Sequence, residues 1–230
     1  MSVNFFYSKD ISSSYVILDS IETNHCIKVL RHNIGDKIKV VDGQGSTYLT
    51  KIINFNKENC KLEIIKKNIS KRKVKIHLCI SPTKNHKRLE WMMEKIVEIG
   101  VDRVTFMVCR RTIRKTVNLK RLNKIALSAM KQTQNSFLPL IDDCLDYSNI
   151  FELVKSEDLF IAHLNKKINL HLKSSLKSNK SRCILIGPEG DFTNDEVFLA
   201  TKNKFIEVSL GETRLRTETS GLVSASILNL

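Results

Sequence analysis

The chain has 230 residues, 42% of them hydrophobic, and its 38 Lys+Arg against 24 Asp+Glu give a formal net charge of +14. That length accommodates one large domain or two modest ones, and no apolar run reaches the roughly 20 residues of a membrane-spanning helix. The opening "MSVNFFYSKD" lacks a secretory pattern, and the six cysteines show neither C-x-x-C nor zinc-ligand spacing. A cytoplasmic protein with reduced thiols, no metal and no membrane association is expected.

The basic excess is uneven. Residues 1–72 hold 12 basic and 7 acidic side chains, residues 73–155 hold 16 and 8, and residues 156–230 hold 10 and 9. A basic front two-thirds beside a nearly neutral last third points to a polyanion-binding surface next to a site for something else. A generally basic proteome is the bland alternative.

Residues 1–72 read as β structure. Short apolar runs in "KIKVVDGQGSTYLTKIINFNKENCKLEIIKK" are broken by Asp42-Gly43-Gln44-Gly45 and Asn56-Lys57-Glu58-Asn59, which are antiparallel turn chemistries. "ISKRK" (69–73) reads as a linker, and the expected division is 1–72 and 73–230. From Lys73 the pattern changes to alternating strands and helices. Val74, Ile76, Leu78 and Ile80 alternate with polar neighbours or Cys79, a strand signal. Leu89, Met92, Met93 and Ile96 make a helical stripe closed by Gly100, before the strand "RVTFMV". Leu122, Ile125, Ala126, Ala129 and Met130 make a second stripe. The strands "DLFIAHL", "RCILIG" and "FIEVSL" follow, with a capping box at Thr193 and Glu196 opening a helix between the last two. The tail "RTETSGLVSASILNL" reads as a C-terminal helix. Such alternation predicts a mostly parallel α/β sheet covered on both faces.

The informative stretch is "SRCILIGPEGDFTNDEV" (181–197), a strand running into a glycine turn and then into acid. Such a turn usually cradles phosphate, yet Glu189, Asp191, Asp195 and Glu196 surround it and would repel an anion. The dinucleotide, P-loop, nucleophile-elbow and zincin signatures are all absent. Gly187 and Gly190 permit close backbone approach, and Pro188 stiffens the loop at the strand's C-terminal end, where open α/β sheets bind ligands. A ligand that is uncharged or cationic where it meets the loop fits, and S-adenosylmethionine is one. A structural turn with ordinary helix-start acids is the alternative. A second glycine loop, "SLGETRLRTETSGLVSAS" (209–226), leaves another strand at Gly211 and presents Arg214, Arg216, Thr217, Glu218 and Thr219. Two such loops at neighbouring strand ends look like two walls of one pocket.

"LIGPEGDFTNDE" with "SLGETRLRTET" resembles the RsmE family of 16S ribosomal RNA uridine N3-methyltransferases, in the SPOUT superfamily. "HCIKVLRHNIGDKIKVVDGQGSTYLTKI" (25–52), "SPTKNHKRLEWMMEKIVEIGVDRV" (81–104) and "CRRTIRK" (109–115) extend the likeness over nearly the whole chain. The resemblance implies a C-terminal SPOUT-type α/β domain with a trefoil knot, a small N-terminal PUA-like β-barrel, and a homodimer acting on 16S rRNA in the 30S subunit. It implies S-adenosylmethionine held by Leu164, Ile186, Gly187, Pro188, Glu189, Gly190, Leu210, Gly211, Leu215, Thr217 and Thr219. Arg216 would stabilise the deprotonated uracil. Glu218 would accept the proton or merely cap its helix. RNA contacts are expected from Arg31, Lys84, Lys87, Arg88, Arg110, Arg111 and Arg114, while His163 reads as structural. The chain departs from the family pattern in lacking an N-terminal arginine pair, in Lys131–Asn135, and at Thr213. Two rival functions stand beside this one: a SPOUT ribose 2'-O-methyltransferase, and a non-catalytic RNA-binding ribosome-assembly factor.

Overall fold

The computed structural model describes residues 5–164, 170–177 and 181–230. The chain forms two compact units, Met1–Lys71 with Met130–Leu138, and Arg72–Ala129 with Pro139–Leu230.

The first unit is a six-stranded mixed sheet of β1 (Phe5–Tyr7), β2 (Asp10–Ile11), β3 (Tyr15–Leu18), β4 (Lys37–Val41), β5 (Ser46–Phe55) and β6 (Cys60–Ile69), in the order β1-β4-β5-β6-β3-β2. A short helix, α1 (Ser20–Asn24), starts where the Asp19 carboxylate accepts from the Glu22 amide. Alternate residues of β5 turn inward, and Phe6, Val16, Leu18, Ile38, Val40, Ile52 and Leu62 make the core. Ser8 curls the sheet towards a barrel. Its amide donates to the Val41 carbonyl of β4 while its hydroxyl donates to the Ile17 carbonyl of β3. Distant residues complete this unit: the Gly45 amide donates to the Ser136 carbonyl, and Leu138 donates to Gly43. A Cβ on Gly45 would stand 2.7 Å from the Phe137 ring, so only glycine admits that packing. Buried Glu22 pairs with Lys131.

The second unit is a six-stranded parallel sheet. Its strands are β7 (Lys75–Ile80), β8 (Arg103–Val108), β9 (Leu140–Asp146), β10 (Asp158–Ala162), β11 (Ser181–Ile186) and β12 (Ile206–Val208), in the order β12-β10-β11-β7-β8-β9. Helices α2 (His86–Ile99), α3 (Leu119–Gln132), α4 (Ile150–Leu153), α5 (Asn194–Lys202) and α6 (Thr217–Leu228) connect or follow them. As the apolar stripe and Gly100 predict, α2 buries Leu89, Met92, Met93 and Ile96 and ends on Gly100 at φ 104°. The capping box at Thr193 and Glu196 forms as expected. Helix α6 presses on β7 and α2, where a Cβ on Gly221 would come within 2.9 Å of Ile80 Cδ1 and Met92 Sδ. Met107, Tyr147, Ile161, Leu185, Phe192 and Phe205 fill another part of the core.

The strand order dictates where a site forms. β12 is at the edge, yet the helix after it packs against β7 and β11. The 209–216 connection therefore runs back over the C-terminal ends of β10 and β11. The expected knot depends on how this connection passes the 163–180 segment, of which 165–169 and 178–180 lie outside the described residues.

Candidate functional site

The glycine turn after β11 is tight for a visible reason. A Cβ on Gly187 would meet the Phe192 ring at 3.1 Å and the Phe192 amide nitrogen at 3.3 Å. Asp191, at φ 63°, closes the turn by donating its amide to the Pro188 carbonyl. The surrounding acids are largely consumed by backbone amides of other segments. Glu189 accepts from the Lys84 amide at 2.9 Å, and Asp191 accepts from Leu164 and from Phe192, each at 2.8 Å. Glu196 accepts from Thr193 and from the Arg110 amide, each at 2.7 Å. Asp195 is the exception: at 91% exposure, 3.9 Å from Arg110, it contributes little. These carboxylates thus satisfy loop amides that lack a sheet or helix partner, and lash the turn to the segments after β7, β8 and β10.

The second loop is built differently. The Ser209 amide and carbonyl bond to Leu170 and Leu172, and its hydroxyl bonds to Gly211, which sits at φ 129°. Two contacts join the loops: the Thr217 hydroxyl donates to the Gly187 carbonyl at 3.2 Å, and Arg214 donates to the Glu189 carbonyl at 3.3 Å. Between them lies a cavity of about 1060 Å³, walled by the ends of β10, β11 and β12 and by residues 209–217.

Of the residues expected to hold a cofactor, Leu164, Ile186, Gly187, Pro188, Glu189, Leu210, Gly211, Leu215 and Thr217 line this cavity, as does Arg216. Gly190 and Thr219 are not in its lining. The space over Gly190 belongs to Arg111, whose Cδ would lie 3.2 Å from an added Cβ. Glu218 is not in the lining either; it is buried, 3.5 Å from Arg88 Nε. Arg88, His163, Asp191, Ser209 and Thr213 also line the cavity. His163 is braced by Glu207, Nε2 to Oε2 at 2.8 Å. Only strand order brings β12 beside β10, so no local sequence signal could have joined that pair.

The expected RNA-contacting residues divide into groups. Lys84, Lys87 and Arg88 line a shallower groove with Asn85, His86, Ile113 and Glu189; Arg88 and Glu189 line both groove and cavity. Arg114 meets the His86 ring beside it. Arg111 is occupied, since its guanidinium donates to the carbonyls of Gly190 at 2.6 Å and Phe192 at 3.3 Å. Arg110 is exposed, and Arg31, at φ 58°, is exposed on the first unit.

Among the described residues one group has metal-ligand chemistry: buried His77, Cys79 and Cys183, whose ligand atoms lie within 4.8 Å of one another. Its hydrogen bonds already occupy one of the possible ligand atoms. Asp142 is held below the usual carboxylate range: burial pushes it up, but bonds from Arg103 and Thr105 outweigh that. The Thr105 hydroxyl, donating to Asp142, must accept from His77 Nε2 at 2.8 Å, which leaves that nitrogen protonated and without a lone pair for a metal. Burial also pushes the Cys79 thiol well up.

Comparison with known proteins shows the family and the fold. Residues 70–229 match the family described as an RNA methyltransferase domain, and residues 18–65 match an RNA methyltransferase PUA domain. The Ribosomal RNA small subunit methyltransferase E of Buchnera aphidicola subsp. Acyrthosiphon pisum is 30% identical, covering 95% of this chain and 88% of that protein. The protein of the same name from Rickettsia conorii is 27% identical, covering 100% and 96%. Among solved structures, a probable rRNA-methyltransferase from Porphyromonas gingivalis superposes with a TM-score of 0.89 at 35% identity, covering 97% of this chain and 95% of that one. A Ribosomal RNA small subunit methyltransferase E from Neisseria gonorrhoeae bound to S-adenosyl methionine gives 0.85 at 25% identity, with the same coverages.

Proposed function

The chain belongs to the RNA methyltransferase family, and from that premise we propose that it transfers a methyl group from S-adenosylmethionine to N3 of a uridine in 16S rRNA of the small ribosomal subunit. The observation that carries the reading is the cavity itself. One wall is a backbone turn whose acids mostly face inward to other loops; the other bears Arg216, whose guanidinium has no hydrogen-bond or ion-pair partner among the described residues. Leu164, Ile186, Leu210 and Leu215 offer apolar surface to an adenine, and the carboxylates at the rim suit a cationic sulfonium better than a phosphate. S-adenosylmethionine, when bound, supplies an electrophilic methyl carbon.

The protein's own task is then to make uracil N3 nucleophilic. The N3 lone pair is available only once its proton has gone to solvent or a base. A guanidinium beside a uracil oxygen favours that loss by stabilising the charge that develops. We assign this to Arg216. RNA approaches along the groove that shares Arg88 with the cavity, with Lys84, Lys87, Arg31, Arg110 and Arg114 as phosphate contacts. Arg111 instead braces the turn. The protein works as a homodimer in the cytoplasm. Trp91 on α2 is 43% exposed and Leu222, Val223 and Ile227 on α6 are half-buried, which leaves apolar surface for a second copy.

The deciding experiment measures methyl transfer to 30S subunits from a strain lacking this modification, and maps the product. Methyl on uracil N3 supports the reading; methyl on a ribose oxygen makes the protein a 2'-O-methyltransferase. RNA binding with no transfer makes it an assembly factor.

A further inference from the structure

We propose that Glu218 is a positioning residue: it holds Arg88 so that this guanidinium and that of Arg216 face the two carbonyl oxygens flanking uracil N3. The inference rests on the uridine reading above and assigns roles within that same site.

Three observations carry it. Glu218 is 6% exposed and outside the cavity lining, and its carboxylate faces Arg88 rather than the open cavity. It lies in the first turn of α6, where the helix N-terminus favours a negative charge. The ion pair it makes is with Arg88, Nε to Oε1 at 3.5 Å, with the Arg88 side chain 42% exposed. The carboxylate thus draws the Arg88 guanidinium towards the N-terminus of α6. Arg88 lines both the basic groove and the cavity. An ion pair with a buried carboxylate limits the directions in which a half-exposed guanidinium can point.

Arg216 is the N-cap residue of the same helix, two positions before Glu218, and lines the same cavity. One residue of the α6 N-terminus therefore presents a guanidinium directly, and another presents a second one by holding Arg88 from α2. The chemistry of uracil matches two donors. When N3–H gives its proton to solvent, the electron pair left behind spreads over N3, O2 and O4. One donor on each oxygen stabilises both ends of the anion and leaves the in-plane N3 lone pair open. The same two donors would discriminate against cytosine, which carries an amino group in place of O4.

The test is the pH dependence of single-turnover methylation at saturating 30S subunits, comparing the wild type with Glu218→Gln and Arg88→Ala. The wild-type rate should rise with pH to a plateau. Both variants should lose about 10²-fold at neutral pH, the scale expected of a misplaced catalytic group. They should recover part of that as pH rises, because the N3 proton then leaves with less help, and half-saturating 30S concentration should change little. A second readout needs no turnover: spectroscopic titration of N3 in a bound oligonucleotide containing 5-fluorouridine. The wild type should lower that ionisation relative to free oligonucleotide, and both variants should return it upward. Circular dichroism and thermal unfolding like those of the wild type establish that the variants are folded. A raised half-saturation with a normal saturating rate for Arg88→Ala would make Arg88 a phosphate contact and overturn the proposal. So would Glu218→Gln being inactive at every pH while Arg88→Ala is unaffected, which is the behaviour of a general base. Failure of the wild type to methylate N3 at all would instead remove the uridine reading, so the two failures are distinguishable.

Discussion

The two glycine loops occupy neighbouring strand ends and line one cavity, yet they are held by opposite means. Gly187 and Pro188 are buried, and the turn they open is fastened to other segments by Glu189, Asp191 and Glu196. The loop from Gly211 to Arg214 is exposed, and nothing lies within 4 Å of where a Gly211 Cβ would be. A fixed backbone wall suits a ligand recognised the same way in every cycle. An open wall carrying Arg214 and Arg216 suits a partner that arrives with its own shape, such as RNA. Leu210 and Leu215 of the open wall also offer surface to the cofactor, so the fixed turn supplies its preorganised side and the open loop is shared with the substrate.

The comparison breaks most visibly at Arg216. Arg216→Ala should lower the saturating single-turnover rate by about 10²–10³-fold, the usual cost of one transition-state donor, with little change in affinity for 30S subunits. A near-normal rate with weakened, less salt-dependent binding would make Arg216 a phosphate clamp instead.

Next comes the closed wall. Gly187→Val should crowd the Phe192 ring and amide, costing about 1–3 kcal/mol of stability as overpacking does, and should weaken S-adenosylmethionine binding by calorimetry. Gly211→Ala tests the open wall by another route. There the added methyl has space, but φ at 129° opposes any side chain, so a cost on the order of 1 kcal/mol is expected. Cofactor affinity should move less than in the Gly187 variant. Equal losses from the two substitutions would erase the distinction between the walls.

The smallest expected effect lies outside both loops and serves as a reference. The Asp142 carboxyl is held below its ordinary value of about 3.9, so the folded state releases its proton more readily than the unfolded one. Its contribution is present above that pH and disappears as pH falls through the lower, folded value. Asp142→Asn should therefore reduce melting temperature at neutral pH and flatten the acid limb of the stability profile, without altering the methylation pH profile.

What was legible in the sequence was local. The α2 stripe with Gly100, the β7 alternation and the Thr193–Glu196 box all rest on neighbours within a turn or two, and each forms as read. The two glycine loops were recognisable as walls of one pocket because each follows an apolar strand. Their fastening was not. The partner of Glu189 is 105 residues away and that of Glu196 is 86, so the same acids read only as a puzzle about repelled phosphate. β9 is not legible locally, because "LIDDCLD" carries three aspartates and does not alternate cleanly. Glu218 looked like a candidate base because nothing local reveals that it points to Arg88 on another helix.

The edges of the parallel sheet have a consequence for how the protein behaves at high concentration. One edge strand, β12, offers three residues, and the other, β9, sets exposed Asp143 and Asp146 along its length. A strand that short gives an incoming chain few backbone groups to pair with, and a row of acids repels an identical copy. The parallel sheet is thereby protected from growing into a ladder of molecules. This protection is separate from anything the cavity does, and it would survive the loss of every residue assigned to catalysis.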